Sequence, residues 1–250
     1  MIVHNLNIRE VKALAKSKGV NKLLSVDSDP KTAKSNASGK GYYTAILYLA
    51  PHKLSGYNVC PSAKDCPANC LHYGGNPVYY KGKVKARIAR TKFFFEHRPE
   101  FFILLVHEIR AFVRKCEKLG LKPVIRLNGT SDIVWEKVAP WLFAEFKNVV
   151  FYDYTKLAKR VRPDWVLPSN YSLTFSRENA NKIEAEGLAN SLANVAVVFR
   201  SKRLPDTFWG RPVVNGDETD LRFLDPQGVI VGLSAKGPAK KDTSGFVVDA

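Results

Sequence analysis

No run of about 18 uncharged apolar residues occurs in the 250-residue chain, which excludes a helix that spans a bilayer. The N-terminus, Met1 to Glu10, lacks the basic region and apolar run of a secretory signal, so the protein is expected to stay in the cytoplasm where it is made. Acids are scarce: 23 Asp and Glu stand against 39 Lys and Arg, a net charge of +16. That imbalance favours a polyanionic partner such as DNA or RNA and says little about fold. Cysteine is scarce too. There are four, three of them within eleven positions, and such a local group in a reducing compartment points to metal ligands or catalytic thiols rather than a disulfide framework. The Gly-x4-Gly-Lys-Ser/Thr phosphate loop is missing, and His107-Glu108 lacks the second histidine of a His-Glu-x-x-His zinc site because position 111 is Ala. No serine-hydrolase elbow, paired-carboxylate signature or internal repeat is present.

What is there is an ordinary globular composition, 45% hydrophobic and 11% aromatic, enough for a sizeable core without staples. Asn7 to Lys18 has the periodicity of a short amphipathic helix, and Ser25 to Lys40 is poor in large apolar residues, so residues 1–40 are expected to form a helical appendage with a flexible loop. From residue 41 to 250 strands alternate with helices. Strands are expected at Tyr42 to Ala50, Lys122 to Leu127, Asn148 to Tyr154, Tyr171 to Phe175 and Asn194 to Arg200, with shorter ones near Pro212 to Val214 and Val229 to Leu233. Helices are expected at Lys83 to Glu96, Pro99 to Leu119, Val134 to Phe146, Thr155 to Arg162 and Glu178 to Leu192. Parallel neighbours need a crossover and a helix supplies it, so the pattern predicts an α/β domain with a parallel sheet, a partial or complete (β/α) barrel.

The chemistry is concentrated after the first of these strands. Tyr57 to Gly75 reads YNVCPSAKDCPANCLHYGG, a Cys-x5-Cys-x3-Cys group formed by Cys60, Cys66 and Cys70, with Pro61, Pro67 and Gly74-Gly75 to shape a wrapping loop. Loops at the C-terminal ends of parallel strands are where such folds build sites. Thiolates suit an iron–sulfur cluster or zinc. Three ligands on a [4Fe-4S] cubane leave one iron open; a structural zinc would need His52, His72 or Cys116 as a fourth ligand. Unliganded thiols are the plainer reading. Cys116, within a helical stretch, reads as a buried core residue.

Other candidates are weaker. Asn128 and Ser131, between a strand and a helix, are placed to hold a carboxylate or phosphate of a cofactor, or else to cap the helix. Asp153 and Ser172 are further candidate cofactor contacts, with packing as the alternative. Arg200 is a candidate partner for an anionic group, or a surface arginine. Lys83, Lys85, Arg87, Arg90 and Lys92 lie in the most basic segment, Lys81 to Arg98, whose only acid is Glu96; they are the candidate nucleic-acid contacts, the alternative being a solvated helix face. The tail Ser234 to Val247 suits a mobile, phosphate-contacting loop.

The cysteine loop, Arg126 to Asp132 (RLNGTSD), Phe151 to Lys156 (FYDYTK) and Asp220 to Asp225 (DLRFLD) together resemble bacteriophage proteins called gene product 88-like, over roughly Tyr42 to Val248. If phage-encoded, the protein would work in the host cytoplasm. The arrangement is more distantly similar to the radical S-adenosylmethionine (SAM) superfamily, whose partial barrel carries three cysteines after its first strand. That resemblance implies a radical SAM-like fold, a [4Fe-4S] cluster and S-adenosylmethionine, chelated by the open iron and cleaved to a deoxyadenosyl radical. The loop departs from the superfamily's Cys-x3-Cys-x2-Cys spacing. The expected function is an iron–sulfur protein, enzymatic in the radical SAM-like case, that acts on or near nucleic acid. The alternatives are a non-catalytic nucleic-acid-binding protein stabilised by zinc or iron–sulfur, and a redox or electron-transfer module with a closed cluster.

Overall fold

A computed structural model describes residues 7–27, 30–73, 80–188 and 191–249. Helix α1, Ile8–Ser17, starts where Asn7 Oδ1 accepts the Arg9 N–H and buries Val11 and Ala15. It is followed by β1 (Leu24–Val26) and α2 (Pro30–Asn36), so ordered elements occupy much of the segment expected to be a flexible loop. Just before that segment Leu23 and Leu24 are buried, and their N–H groups are taken by the Glu108 carboxylate at 2.8–3.0 Å. Val11, Ala15, Val20, Leu23 and Leu24 belong to the same core as the central strands.

Strand β2 (Tyr42–Leu47) leads into the cysteine loop, after which come α3 (Tyr80–Glu96) and α4 (Arg98–Leu119). Helix α4 has Pro99 in its first turn and ends at Gly120, whose φ of 65° is the left-handed value a helix stop requires. Strand β3 (Lys122–Arg126) follows. The helix expected over Val134 to Phe146 is two short pieces, α5 (Trp135–Val138) and α6 (Pro140–Glu145), because the proline keeps Ala139 out of the helical region, at φ −147° and ψ 61°. Strand β4 (Val150–Thr155) continues to Thr155, and only a 3-10 turn, Ala158–Val161, stands where a helix from Thr155 was expected. Strand β5 (Tyr171–Ser176) is followed by a 3-10 turn and by α7 (Lys182–Gly187), shorter than the expected Glu178 to Leu192; residues 189–190 of that span lie outside the described ones. The remaining strands are β6 (Val195–Phe199), β7 (Thr207–Phe208), β8 (Arg211–Asn215), β9 (Ile230–Ser234) and β10 (Val247–Val248).

The strands form one mixed sheet in the order β1-β2-β3-β4-β5-β6-β9-β8-β7, with β10 also paired to β6. Every pairing is parallel except β1 with β2 and β7 with β8. The α/β class with parallel strands is therefore as expected, but the sheet is open, and the barrel does not close. Tyr43, Ala45, Leu47, Ile125 and Phe151 pack on Phe93, Phe94, Phe101, Leu104 and Trp135 on one face. The other face carries Arg126 and Tyr152, both bonded to the Asp220 carboxylate, and Phe223 lies 5.5 Å from the Tyr152 ring. With both faces covered, β2 to β5 present their C-terminal ends along one edge. No described helix is long and apolar enough to cross a membrane.

Candidate thiol site

Cys60, Cys66 and Cys70 are free, partly exposed thiols on the loop that leaves β2. Neighbouring strand ends hold the loop in place. From the β3 end, the Asp132 N–H donates to Val59 O at 2.8 Å and the Thr130 hydroxyl to Leu49 O at 2.6 Å. Gly129 is required there, since a Cβ would lie 2.6 Å from the Ile46 and Tyr48 side chains. From the β5 end, the wholly buried Glu178 accepts the N–H groups of Lys64, Asp65 and Cys66 at 2.8, 3.0 and 2.8 Å. Asp65 returns a bond by accepting the Ala180 N–H at 2.7 Å. From the tail, Asp242 accepts the Asn69 amide at 2.8 Å. Despite its burial, bonds from Ser244, Val247 and Asn69 hold Asp242 down to about 2. The tail, expected to be mobile, is tied to the loop through this carboxylate and a 3-10 turn, Gly237–Lys241.

The thiols share one electrostatic environment. Burial pushes Cys60 up to about 12, countered by the His52 N–H that donates to its Sγ at 3.4 Å and reinforced by Cys66 and Cys70. Burial likewise pushes Cys66 up to about 11 against the pull of Lys156. Cys70 is raised by burial and relieved by the His72 N–H at 3.4 Å and by Arg87. Burial thus favours the neutral thiol at each, and a bound metal would supply the charge that turns them into ligands. Among the described residues, no three of His, Cys, Asp and Glu are grouped as the ligands of a single ion.

His72 is fully buried, and its Nδ1 lies 2.8 Å from an Arg87 nitrogen. A guanidinium only donates, so Nδ1 is the acceptor and the neutral ring carries its proton on Nε2, an atom without a partner among the described residues. Burial, with Arg87 and Lys83, lowers His72 to about 4. Neither ring nitrogen is thus free to ligate. Cys116 is buried in the last turns of α4, which leads into the start of β3, and the neighbouring Lys115 bonds Tyr43 at the start of β2. It therefore sits at the opposite end of the sheet from the loop.

Of the four candidate cofactor contacts, the structure joins three into an internal brace. Asn128 Oδ1 accepts from the Ser131 hydroxyl, the Ile133 N–H and the Trp135 indole at 2.8, 2.9 and 3.1 Å, and its own N–H donates to Asp153 Oδ1 at 2.9 Å. Asp153 also accepts from Tyr171 at 3.0 Å, and burial raises it to about 7. Ser172 is separate: exposed, paired with Tyr152 near the start of β5, it lies away from the strand ends that carry the thiols. Arg200 pairs with Asp249 at 2.7 Å. Among the basic candidates, Lys83 donates to His72 O, Arg87 is buried beneath the loop and stacks on Tyr48 at 4.4 Å, and Arg90 donates to Lys22 O. Lys85 and Lys92 are exposed, as is Lys81. Gly74-Gly75 lies outside the described residues.

Sequence reasoning missed Glu178, Asp242 and Lys156 as parts of this site. Lys156 follows β4 directly and Glu178 lies two residues after β5, and position after a parallel strand was the one signal that could have found them. Asp242 has none, because its tail folds back over 173 positions to meet Asn69. A buried cation was also missed: Arg160 forks onto both Glu136 oxygens at 2.8 Å and reaches Asp132 at 2.9 Å, which fixes the carboxylate beside Cys60.

The sequence model of the family described as Gene product 88 matches residues 19–250. The chain belongs to the Gene product 88 family. The match to Gene product 88 takes in the cysteine loop and every strand, and begins after α1. No curated protein and no solved structure matches the chain.

Proposed function

We propose that this Gene product 88 family member binds an iron–sulfur cluster through Cys60, Cys66 and Cys70 and acts on or near nucleic acid. One observation supports the reading: three thiols from one loop at the C-terminal edge of parallel strands lie within electrostatic reach of one another, and the loop is clamped by buried carboxylates from elements far away in sequence. The donor set fits. Sulfur ligands suit such clusters, and the His52 and His72 N–H groups aimed at two sulfurs are the kind of bond that stabilises thiolate ligands. When bound, a cubane held by three cysteines would offer an open iron to a ligand or an electron to a substrate. Glu178, Asp242 and Asp132 would fix where that iron sits by holding the backbone of its ligands.

Zinc is disfavoured by His72, whose Nδ1 is engaged by Arg87 and whose Nε2 carries the proton. A radical SAM-like chemistry agrees with the place of the loop after the first parallel strand of an open sheet; the Cys-x5-Cys-x3-Cys spacing differs from that superfamily's. The exposed lysines of α3, which starts just beyond the loop, support the nucleic-acid part of the reading.

Anaerobic purification with iron, sulfide and zinc analysis, followed by EPR of the reduced protein with and without S-adenosylmethionine, tests it. Iron and sulfide in equal amounts with a SAM-sensitive signal is the expected result. A signal indifferent to SAM would leave a closed redox cluster, and zinc alone would refute the iron–sulfur assignment in favour of a metal-stapled binding protein.

A further inference from the structure

We infer that the cleft between α1, β1 and α4 is a second binding site, one that takes a segment of single-stranded nucleic acid with its phosphates on lysines and a base over an apolar floor. This rests on the nucleic-acid part of the reading above and is independent of the cluster. The cleft holds about 530 Å³, and ordinary ligand sites hold roughly 300–1,000 Å³. Leu104, His107, Glu108, Ala111, Phe112 and Lys115 line it at three- and four-residue spacing, so they form one stripe along α4, about 16 Å long at about 1.5 Å per residue. Helix α1 lies against α4 and adds Ala15 together with Lys12 and Lys16, which stand one turn apart. Ala15, Val20, Leu24, Leu104 and Phe112 are buried and make the floor, whereas Lys12, Lys16, Lys22 and Lys115 are exposed and make the rim. An apolar floor beneath cations is the arrangement that seats a base and holds its phosphates.

The charge is one-sided. Among the described residues, no carboxylate stands within salt-bridge distance of Lys12, Lys16 or Lys22. Lys115 donates to the Tyr43 hydroxyl at 2.9 Å, which donates in turn to Asp27 at 2.6 Å. Glu108 is the one acid among the described lining residues, and its carboxylate is occupied by the N–H groups of Leu23 and Leu24. Phe112 stacks on Tyr43 at 5.7 Å, and burial with Lys12, Arg114 and Arg110 lowers His107, which leaves an uncharged ring in the cleft wall. The cleft also continues the basic face of α3. Arg90 Nε donates to Lys22 O at 2.8 Å, and a Cβ on Gly19 would lie 3.6 Å from the Ala89 Cβ, so the turn over 19–22 rests on α3. Lys85 and Lys92 stand one turn to either side of Ala89 on the same helix face. A polyanion with a charge on every unit can follow these cations from α3 over Lys22 to α1; a small anion would use only a few of them. Helix α1 lies before the matched segment 19–250, so one wall of the cleft is outside the family's pattern.

The test is fluorescence anisotropy of a labelled oligothymidylate on the full-length wild type and on two variants, Lys12→Gln combined with Lys16→Gln, and Ala111→Trp. All three positions are exposed, so circular dichroism should show the wild-type fold, and the tryptophan fills the cleft without a change of charge. A hairpin duplex with the same number of phosphates and poly-glutamate serve as competitors. The wild type is expected to prefer the single strand to the duplex. The double lysine variant should bind the strand about ten-fold more weakly, with log K against log salt less steep by about 1.4, about 0.7 for each of two phosphates. Ala111→Trp should lose about five-fold or more, as the loss of one seated base implies, with the slope unchanged. Equal strand affinity in all three proteins overturns the inference while nucleic-acid binding stands. A loss confined to the lysine variant also overturns it, since the phosphates would then pass over the cleft without seating a base. Poly-glutamate that displaces the strand as well as unlabelled oligothymidylate does would assign the cleft to an acidic peptide instead. A wild type that binds neither strand nor duplex overturns both the inference and the nucleic-acid reading.

Discussion

At the scale of single residues, the three loop cysteines and Cys116 are separated by what surrounds them rather than by chemistry. Cys60→Ser, Cys66→Ser and Cys70→Ser should each lose most of the bound iron, whereas Cys116→Ala should keep it, because its thiol sits in the apolar core at the far end of the sheet. Equal iron in all four variants would sink the ligand assignment. Asp153 gives a prediction in pH. Its carboxyl is held up to about 7, chiefly by burial, whereas an unfolded aspartate titrates near 3.9. Between about pH 4 and pH 7 the folded chain therefore binds more protons here than the unfolded chain, and the stability it contributes is full below pH 4 and lost as pH rises through 7. Asp153→Asn should flatten that fall in denaturant midpoints measured from pH 4 to pH 8. A variant with the wild-type slope would show that Asp153 is ionised throughout.

At the scale of elements, α3 has two faces with different duties. Arg87, Thr91, Phe93 and Phe94 are buried, and Arg87 serves the cysteine loop. Lys81, Lys85 and Lys92 are exposed and, at about 100° per residue, lie within about 40° of one another around the helix axis. A stripe of that kind fits a run of phosphates. Replacing all three by Gln should weaken DNA or RNA binding and make log K against log salt less steep, by about 0.9 for each duplex phosphate that is no longer neutralised. Filter binding between low and moderate salt measures this, and an unchanged slope would reduce the stripe to a solvated face. The Arg160 knot joins the 3-10 turn after β4 to α5 and to the β3 loop. Arg160→Leu would leave Glu136 and Asp132 buried without their cation, and a loss of roughly 3–5 kcal/mol is expected in urea unfolding. A loss below about 1 kcal/mol would mean that the carboxylates find water or protons instead.

At the scale of the whole molecule, the first elements are built into the main core. Val11, Ala15, Val20, Leu23 and Leu24 are each 5% exposed or less, and full burial of a large apolar side chain is worth about 1.5–3 kcal/mol. Summed over these residues, that approaches the whole stability of an ordinary domain. Removal of residues 1–27 should accordingly abolish cooperative unfolding followed by circular dichroism; a truncated protein with a sharp transition near the wild-type midpoint would make the segment dispensable.

The α/β class, the order of strands and helices and the burial of Cys116 were legible because apolar periodicity and Pro–Gly punctuation are local signals, and local signals survive in the linear chain. Cys60, Cys66 and Cys70 were legible as a group for the same reason, since one short loop holds them all. The elements that went wrong were those where a neighbour outweighed local preference: Pro140 split one expected helix, and Glu178, expected to open another, commits its side chain to the amides of a loop more than a hundred positions away. Asn128, Ser131 and Asp153 were legible as a polar group near a strand end. Whether such a group faces a cofactor or braces the fold depends on which way the strand turns its side chains and on what packs against them. Composition, element order and the spacing of the thiols are thus properties of the linear chain. It took three-dimensional packing to leave the sheet open, to turn Arg87 inward and Lys85 outward, and to bring Glu178 and Asp242 onto the cysteine loop. Those outcomes depend on burial and on hydrogen bonds between residues far apart in the chain, and no local pattern carries them.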